Sequence, residues 1–145
     1  YYLKYRIISL LFKAFFIYRW IYLPPTIIHL LLLSTICGFY LSVFFIISHN
    51  FIGVKTYSKI EQNKFLIQQV ESSSSINSSV LCNLNGGLNY QIEHHLFPGY
   101  CHCHYVKISI IVKEFLIKHN IKYNSFSSFI QNMKSTIHRL KTLGN

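Results

Sequence analysis

Histidines concentrate in one short stretch of this 145-residue chain. Of the eight histidines, four lie within residues 94–104, namely His94, His95, His102 and His104. Clustered imidazoles are well suited to binding iron, zinc or copper. The stretch is therefore a candidate metal centre.

Gln91 precedes the first histidine pair at a spacing that suits a helix. If the chain is helical here, positions three and four apart share a face, so His94 and His95 both lie over Gln91. Neighbouring imidazoles in that arrangement can bind one metal ion or two adjacent ones. Glu93 points away from this face and is a candidate to orient an imidazole through a hydrogen bond. For an isolated histidine pair, the alternative is a structural role at a helix end.

The tract Cys101-His102-Cys103-His104 is a second arrangement of metal-binding residue types. Zinc sites usually space their ligands by two to four residues, whereas ligand types here alternate directly. We therefore expect reduced thiols in this tract and no closed tetrahedral zinc site. The four cysteines of the chain do not suggest a disulfide framework.

Two apolar segments precede this region. Residues 7–23 are interrupted by Lys13 and Arg19 and are followed by Pro24-Pro25, whereas residues 27–47 contain no charged side chain. At 1.5 Å per residue, the second segment spans about 32 Å, against about 30 Å for the hydrocarbon core of a bilayer. The first can cross the bilayer or lie in its interface. We predict a hairpin of two membrane crossings within residues 1–50.

Charge distribution orients this predicted hairpin. The chain is 51% hydrophobic and 12% charged, with a formal net charge of +10, which is typical of a protein lying against an anionic membrane surface. The basic residues form no stripe, so we predict no nucleic-acid binding. If both segments cross, the flanking basic residues share one face, which the positive-inside rule makes cytosolic, with both termini: Lys4, Arg6, Lys55, Lys59 and Lys64.

Residues 51–145 are more polar and are predicted to form a helical cytosolic cap. Ser72 to Ser79 is serine-rich and favours a loop, and Gly86-Gly87 favours a turn. Apolar residues recur at helical spacing in Tyr105 to His119, and Ser125 is a candidate cap for a last helix. The predicted fold is an all-α integral membrane protein.

Residues 86–98, Gly-Gly-Leu-Asn-Tyr-Gln-Ile-Glu-His-His-Leu-Phe-Pro, resemble the third histidine box of front-end fatty acid desaturases of the delta-5 and delta-6 type. In that family the box reads Gln-x-x-His-His. The resemblance extends to residues 45–51, which are similar to the end of the last membrane segment and include His49. It also includes residues 104–108, His-Tyr-Val-Lys-Ile, which are similar to the segment that follows the box.

The resemblance implies an oxygen-dependent, non-haem di-iron enzyme of the endoplasmic reticulum. Such an enzyme places a cis double bond in a fatty acyl-CoA or acyl-lipid chain, between an existing double bond and the carboxyl end. Its electrons come from cytochrome b5 and an NADH-linked reductase. By the same resemblance His94 and His95 are iron ligands, Gln91 is a ligand or a close neighbour, and His49 is a further ligand.

The chain departs from the family in what it lacks. It contains neither the His-x-x-x-His nor the His-x-x-His-His box, nor the His-Pro-Gly-Gly of cytochrome b5. It begins with Tyr1, and its single methionine is Met133. We therefore expect a C-terminal fragment that cannot desaturate alone. Two alternatives remain: a non-catalytic membrane remnant or accessory subunit without iron, and a small zinc-binding membrane protein.

Overall fold

The structure of the chain, a computed structural model, describes residues 2–58 and 64–144. It divides into two compact units, Tyr1–Tyr40 and Leu41–Asn145. Among the basic residues on which the predicted orientation depends, Lys59 and the side chain of Lys4 lie outside the described part of the chain.

The first unit contains helix α1, Tyr2–Tyr22, and the beginning of helix α2, Ile27–His49. The break between them coincides with Pro24-Pro25, since proline has no backbone N–H to continue a helix. At the start of α2 the hydroxyl of Thr26 lies 2.7 Å from Nδ1 of His29, so this histidine is hydrogen-bonded within the first turn.

Helix α2 has the length and apolar composition of a membrane-spanning helix. Its 23 residues extend about 35 Å, enough to span the hydrocarbon core of a bilayer. Within residues 2–58 and 64–144 it is the one helix that is long and apolar enough to cross a membrane. One candidate crossing is therefore found, and the second predicted crossing, in α1, stays a prediction.

The second unit is built from short helices around the last turns of α2. In chain order its elements are α3 (Phe65–Glu71), β1 (Ser75–Ile76), α4 (Ser79–Asn85), α5 (Gln91–Leu96), a 3-10 turn (His102–His104), α6 (Tyr105–Lys118), β2 (Ser125–Phe126) and α7 (Phe129–Leu143). The expectation of a mostly helical chain is confirmed, including the helix that begins at Tyr105.

The serine-rich segment, predicted to be a loop, contains a short buried strand. Ser73, Ser74 and Ser75 are buried, and β1 pairs in parallel with β2, with Ser75 opposite Ser125. Ser125 therefore lies in a strand, and the residue that caps α7 is Ser128, whose side chain accepts a hydrogen bond from the Gln131 backbone N–H.

Helix α5 is held in the core of this unit by its apolar side. Ile92 is fully buried and packs with Val70 of α3 and with Val112 and Leu116 of α6. Burying a side chain of this size stabilises the fold by roughly 2 kcal/mol relative to exposing it. This packing fixes the rotation of α5, and with it the direction in which His94 and His95 project.

Candidate metal centre

The histidine box forms a short helix, as its spacing predicts. Before it, α4 ends at Asn85 and is capped by Gly86, which has a positive φ of 65°, and Gly87 follows with a φ of 84°. A Cβ atom on Gly87 would lie only 2.6 Å from the Cβ atom of His102, so glycine is needed here for the close approach of the 3-10 turn. Helix α5 then presents His94 and His95 with their ring centroids 6.2 Å apart.

The last residue of α2 reaches the same place. The ring of His49 stacks on the ring of His95 with a centroid distance of 5.2 Å and an interplanar angle of 23°. The amide nitrogen of Gln91 lies 3.1 Å from Nε2 of His95. The four residues that the sequence singles out, His49, Gln91, His94 and His95, are therefore neighbours in the second unit. We refer to them as the histidine cluster.

Oxygen atoms fix the orientation of two of these rings. Nδ1 of His49 donates to the backbone carbonyl of Ser72 at 3.0 Å, which leaves the lone pair on Nε2. Nδ1 of His94 lies 3.2 Å from the hydroxyl oxygen of Tyr105. Histidines that bind metals commonly use one ring nitrogen for the metal and the other for such a partner.

His95 is half-buried, like His49, and differs in its partners. Its Nδ1 atom is buried without a hydrogen bond in the described structure, and the backbone of Gln69 lies beside the ring. Burial lowers the pKa of His95 below its usual value, and the proximity of His49 adds to this effect. The ring therefore stays neutral over a wider pH range, which is the form that binds a metal ion.

Glu93 lies on the opposite side of α5, and within the described residues its carboxylate makes no hydrogen bond to an imidazole. It is fully buried, and its carboxylate accepts hydrogen bonds from the hydroxyls of Ser75 and Tyr123, each at 2.7 Å. Burial raises the pKa of Glu93, although these two hydrogen bonds partly oppose the rise. The expectation that Glu93 orients an imidazole is therefore wrong. We refer to Ser75, Glu93 and Tyr123 as the carboxylate cluster.

Imidazole nitrogens are suitable ligands for iron, and the rings of His49 and His94 have their Nδ1 atoms hydrogen-bonded to oxygen. These residues form only part of a ligand set. In the described ranges 2–58 and 64–144, no three His, Cys, Asp or Glu side chains are grouped so that they could hold a metal ion. This holds for the tract Cys101 to His104, in which all four side chains are exposed. The residues present fit part of a metal site, and further donors would be needed to complete it.

Two residues beside the histidines, Ser72 and Tyr105, carry no signal in the sequence that would assign them a role. Tyr105 belongs to a recognisable His-Tyr segment, but its spacing from His94 does not predict a hydrogen bond. Ser72 acts through its backbone carbonyl, which any residue type would supply. The roles of both residues are therefore apparent only in the folded chain.

Known proteins similar to this chain are fatty acid desaturases. The sequence model of the fatty acid desaturase family matches residues 1–127. An acyl-lipid (7-3)-desaturase of Rebecca salina is 37% identical over 148 residues, covering 95% of this chain and 33% of the relative. An enzyme of the same name from Diacronema lutheri is 39% identical over 140 residues, covering 92% of this chain and 32% of the relative.

A more distant relative extends the comparison. The Delta(5) fatty acid desaturase A of Dictyostelium discoideum is 30% identical over 129 residues, covering 82% of this chain and 28% of the relative. No solved structure matches the chain. The chain spans about a third of the length of the first two curated relatives. Because the family match covers most of its residues, the chain belongs to the fatty acid desaturase family.

Proposed function

We propose that this chain supplies the third histidine box of an oxygen-dependent, di-iron fatty acyl desaturase. The observation that carries the proposal is the meeting of His49, from the end of α2, with His95 and Gln91 of α5. A membrane-associated helix and the box helix thereby contribute donors to one place. The reaction introduces a cis double bond between an existing one and the carboxyl end of an acyl-CoA or acyl-lipid substrate.

In this proposal each member of the histidine cluster has a defined task. His49 and His94 would bind iron through Nε2, because their Nδ1 atoms are held by Ser72 and Tyr105. His95 would be a further ligand, and Gln91, whose amide nitrogen lies 3.1 Å from Nε2 of His95, would be a ligand or a close neighbour. Bound iron would activate O2 for hydrogen abstraction from an unactivated methylene.

The chain does not complete such a site alone in this proposal. The remaining donors come from segments outside these 145 residues, since the curated relatives are about three times as long. Electrons come from cytochrome b5 and an NADH-linked reductase. We therefore expect no double-bond formation by the purified chain in lipid, even with the reductase system supplied.

The proposed setting is the endoplasmic reticulum membrane. Helices α1 and α2 form the hairpin of residues 1–50, and residues 51–145 lie on the cytosolic side with both termini. The absence of Lys, Arg, Asp and Glu from α2 supports its place in this hairpin. Tagged termini that are modified from opposite sides of microsomes would contradict the hairpin.

A chimera tests the function. The chain replaces the matching residues of the Rebecca salina enzyme, and the fatty acids of yeast cells expressing the chimera are analysed by gas chromatography and mass spectrometry. We expect a new double bond from the chimera and none from the same chimera carrying His94→Ala and His95→Ala. Iron per chain, measured on the purified chimera, is expected to fall in that variant.

The matched control is His138→Ala, because His138 is exposed on α7, outside the histidine cluster. This variant is expected to retain both product and iron. Full product formation by the variant that lacks His94 and His95 would show that neither residue is an iron ligand, and the proposal would fail.

A further inference from the structure

Two exposed cysteines lie side by side just before α6. The thiol of Cys103 donates a hydrogen bond to Sγ of Cys101, with the sulfur atoms 3.3 Å apart. The other cysteines differ: Cys82 is fully buried and its thiol contacts the carbonyl of His102, and Cys37 lies within the candidate membrane helix α2. The chain therefore contains one accessible pair of sulfurs already in contact.

We propose that Cys101 and Cys103 form a redox-active dithiol, which closes into an intramolecular disulfide by exchange with a small disulfide such as glutathione disulfide. This inference is independent of the proposed desaturase activity. It assigns a modification site to a tract whose composition first suggests zinc.

The contact between the sulfurs assigns different roles to the two thiols. Hydrogen bonds from the backbone and side chain of Cys103 lower the pKa of Cys101. The pKa of Cys103 is raised, because its thiol is the donor in the hydrogen bond to Cys101. The thiolate is the reactive form, so Cys101 is the attacking sulfur and Cys103 resolves the intermediate.

The exchange proceeds in two balanced steps. Cys101 Sγ bonds to one sulfur of glutathione disulfide, breaking its S–S bond and releasing one glutathione thiolate. Cys103 then loses its proton and attacks Cys101 Sγ, releasing the second glutathione. Two electrons pass from the protein to glutathione disulfide, and the two thiol protons end on the two glutathione molecules.

The position of the dithiol connects it to the histidine cluster. The His104 backbone N–H donates to the carbonyl of Cys101 at 3.0 Å, and the 3-10 turn leads directly into Tyr105, whose hydroxyl contacts His94. Cys101 also lines a cleft of about 270 Å³ together with His94. Closing the disulfide therefore changes the turn that positions Tyr105.

The test uses the whole 145-residue chain in detergent micelles, with EDTA present to remove metal ions. After exposure to glutathione disulfide, chymotrypsin cleavage at Tyr100 and Tyr105 yields the peptide Cys101–Tyr105, which contains both cysteines and no other. We expect this peptide to be lighter by two hydrogens, and dithiothreitol to restore its mass. Cys82 in the same sample serves as the buried control and is expected to stay a free thiol.

Single substitutions separate the roles. In Cys103→Ser a glutathione adduct is expected to persist on Cys101, because no resolving thiol remains. In Cys101→Ser the reaction of Cys103 is expected to be roughly tenfold slower. If the wild-type peptide keeps two free thiols, or carries stable glutathione on either cysteine instead of the internal bond, the proposal is wrong.

Discussion

Two polar regions lie on opposite sides of α5, and they complete their hydrogen bonds differently. In the carboxylate cluster, both oxygens of Glu93 accept a hydroxyl, one from Ser75 and one from Tyr123. In the histidine cluster, His94 is exposed and Nδ1 of His95 is buried without a hydrogen bond in the described structure. The carboxylate cluster has all its hydrogen-bond partners within this chain and stabilises the fold. The histidine cluster instead has ring nitrogens that are free to bind a ligand from outside the chain, such as a metal ion.

Removing the buried carboxylate should have the largest effect on stability. Glu93→Ala leaves the hydroxyls of Ser75 and Tyr123 without their acceptor, and each unsatisfied buried group costs about 1–3 kcal/mol. We expect the free energy of unfolding to fall by about 3 kcal/mol, measured by urea denaturation in detergent. The control is Glu114→Ala on the exposed side of α6, with a change within about 0.5 kcal/mol. Equal effects of the two substitutions would remove the distinction between the two regions.

Local patterns predict the parts of the molecule that depend on neighbours in the chain. The helix that carries Gln91, His94 and His95 and the helix that begins at Tyr105 both follow from spacing of three and four residues. The resemblance also places His49 at the end of an apolar helix, and in the structure it is the last residue of α2, the candidate membrane helix. The assignment of these residues as iron ligands stays a prediction.

The carboxylate cluster shows what sequence patterns do not contain. Ser75 and Tyr123 reach Glu93 from distant positions in the chain, through β1 and the segment before β2. Serine favours loops because its hydroxyl hydrogen-bonds locally, yet the same hydroxyl can satisfy a buried carboxylate. Composition cannot distinguish the two uses. The serine-rich segment is therefore predicted as a loop although three of its serines are buried.

The next largest effect concerns the histidine cluster and its oxygen partners. Tyr105→Phe removes the hydroxyl that lies 3.2 Å from Nδ1 of His94 and keeps the ring. Loss of such a partner typically weakens metal binding 10- to 100-fold. We therefore expect the Co²⁺ affinity of the chimera to fall at least about tenfold, as measured by optical titration. The control is Tyr100→Phe, whose ring packs on Phe97. Equal affinities of the two variants would show that Tyr105 does not orient His94.

The pH dependence of stability separates the two regions in another way. Burial raises the pKa of Glu93 above its ordinary value of 4.5, so the folded state holds this proton more tightly than the unfolded state. The contribution of Glu93 to stability is therefore full below pH 4.5 and declines as the pH rises through the raised pKa. Glu93→Gln should remove this decline when unfolding is measured between pH 4 and pH 8. A decline of the same size in the variant would assign the effect to another group.

Glu71 provides a half-buried counterpart to the fully buried Glu93, and its exposed ion-pair partner Lys55 should give the smallest effect. Its carboxylate also accepts a tyrosine hydroxyl, from Tyr57, and it pairs with Lys55 Nζ at 2.6 Å. Burial raises the pKa of Glu71, but the hydrogen bonds from Lys55 and Tyr57 outweigh it and hold the pKa below its ordinary value. Stability from this group is therefore present above pH 4.5 and is lost as the pH falls, opposite to Glu93.

Lys55→Ala tests this counterpart, since the Lys55 backbone N–H keeps its bond to the Glu71 carbonyl and only the ion pair is lost. The Lys55 side chain is 61% exposed, and such pairs contribute about 0–1 kcal/mol, so we expect a loss below about 1 kcal/mol at pH 7. The loss should shrink in 1 M salt, because surface charges are screened. A loss as large as that of Glu93→Ala, and insensitive to salt, would mean that burial does not decide which glutamate stabilises the fold.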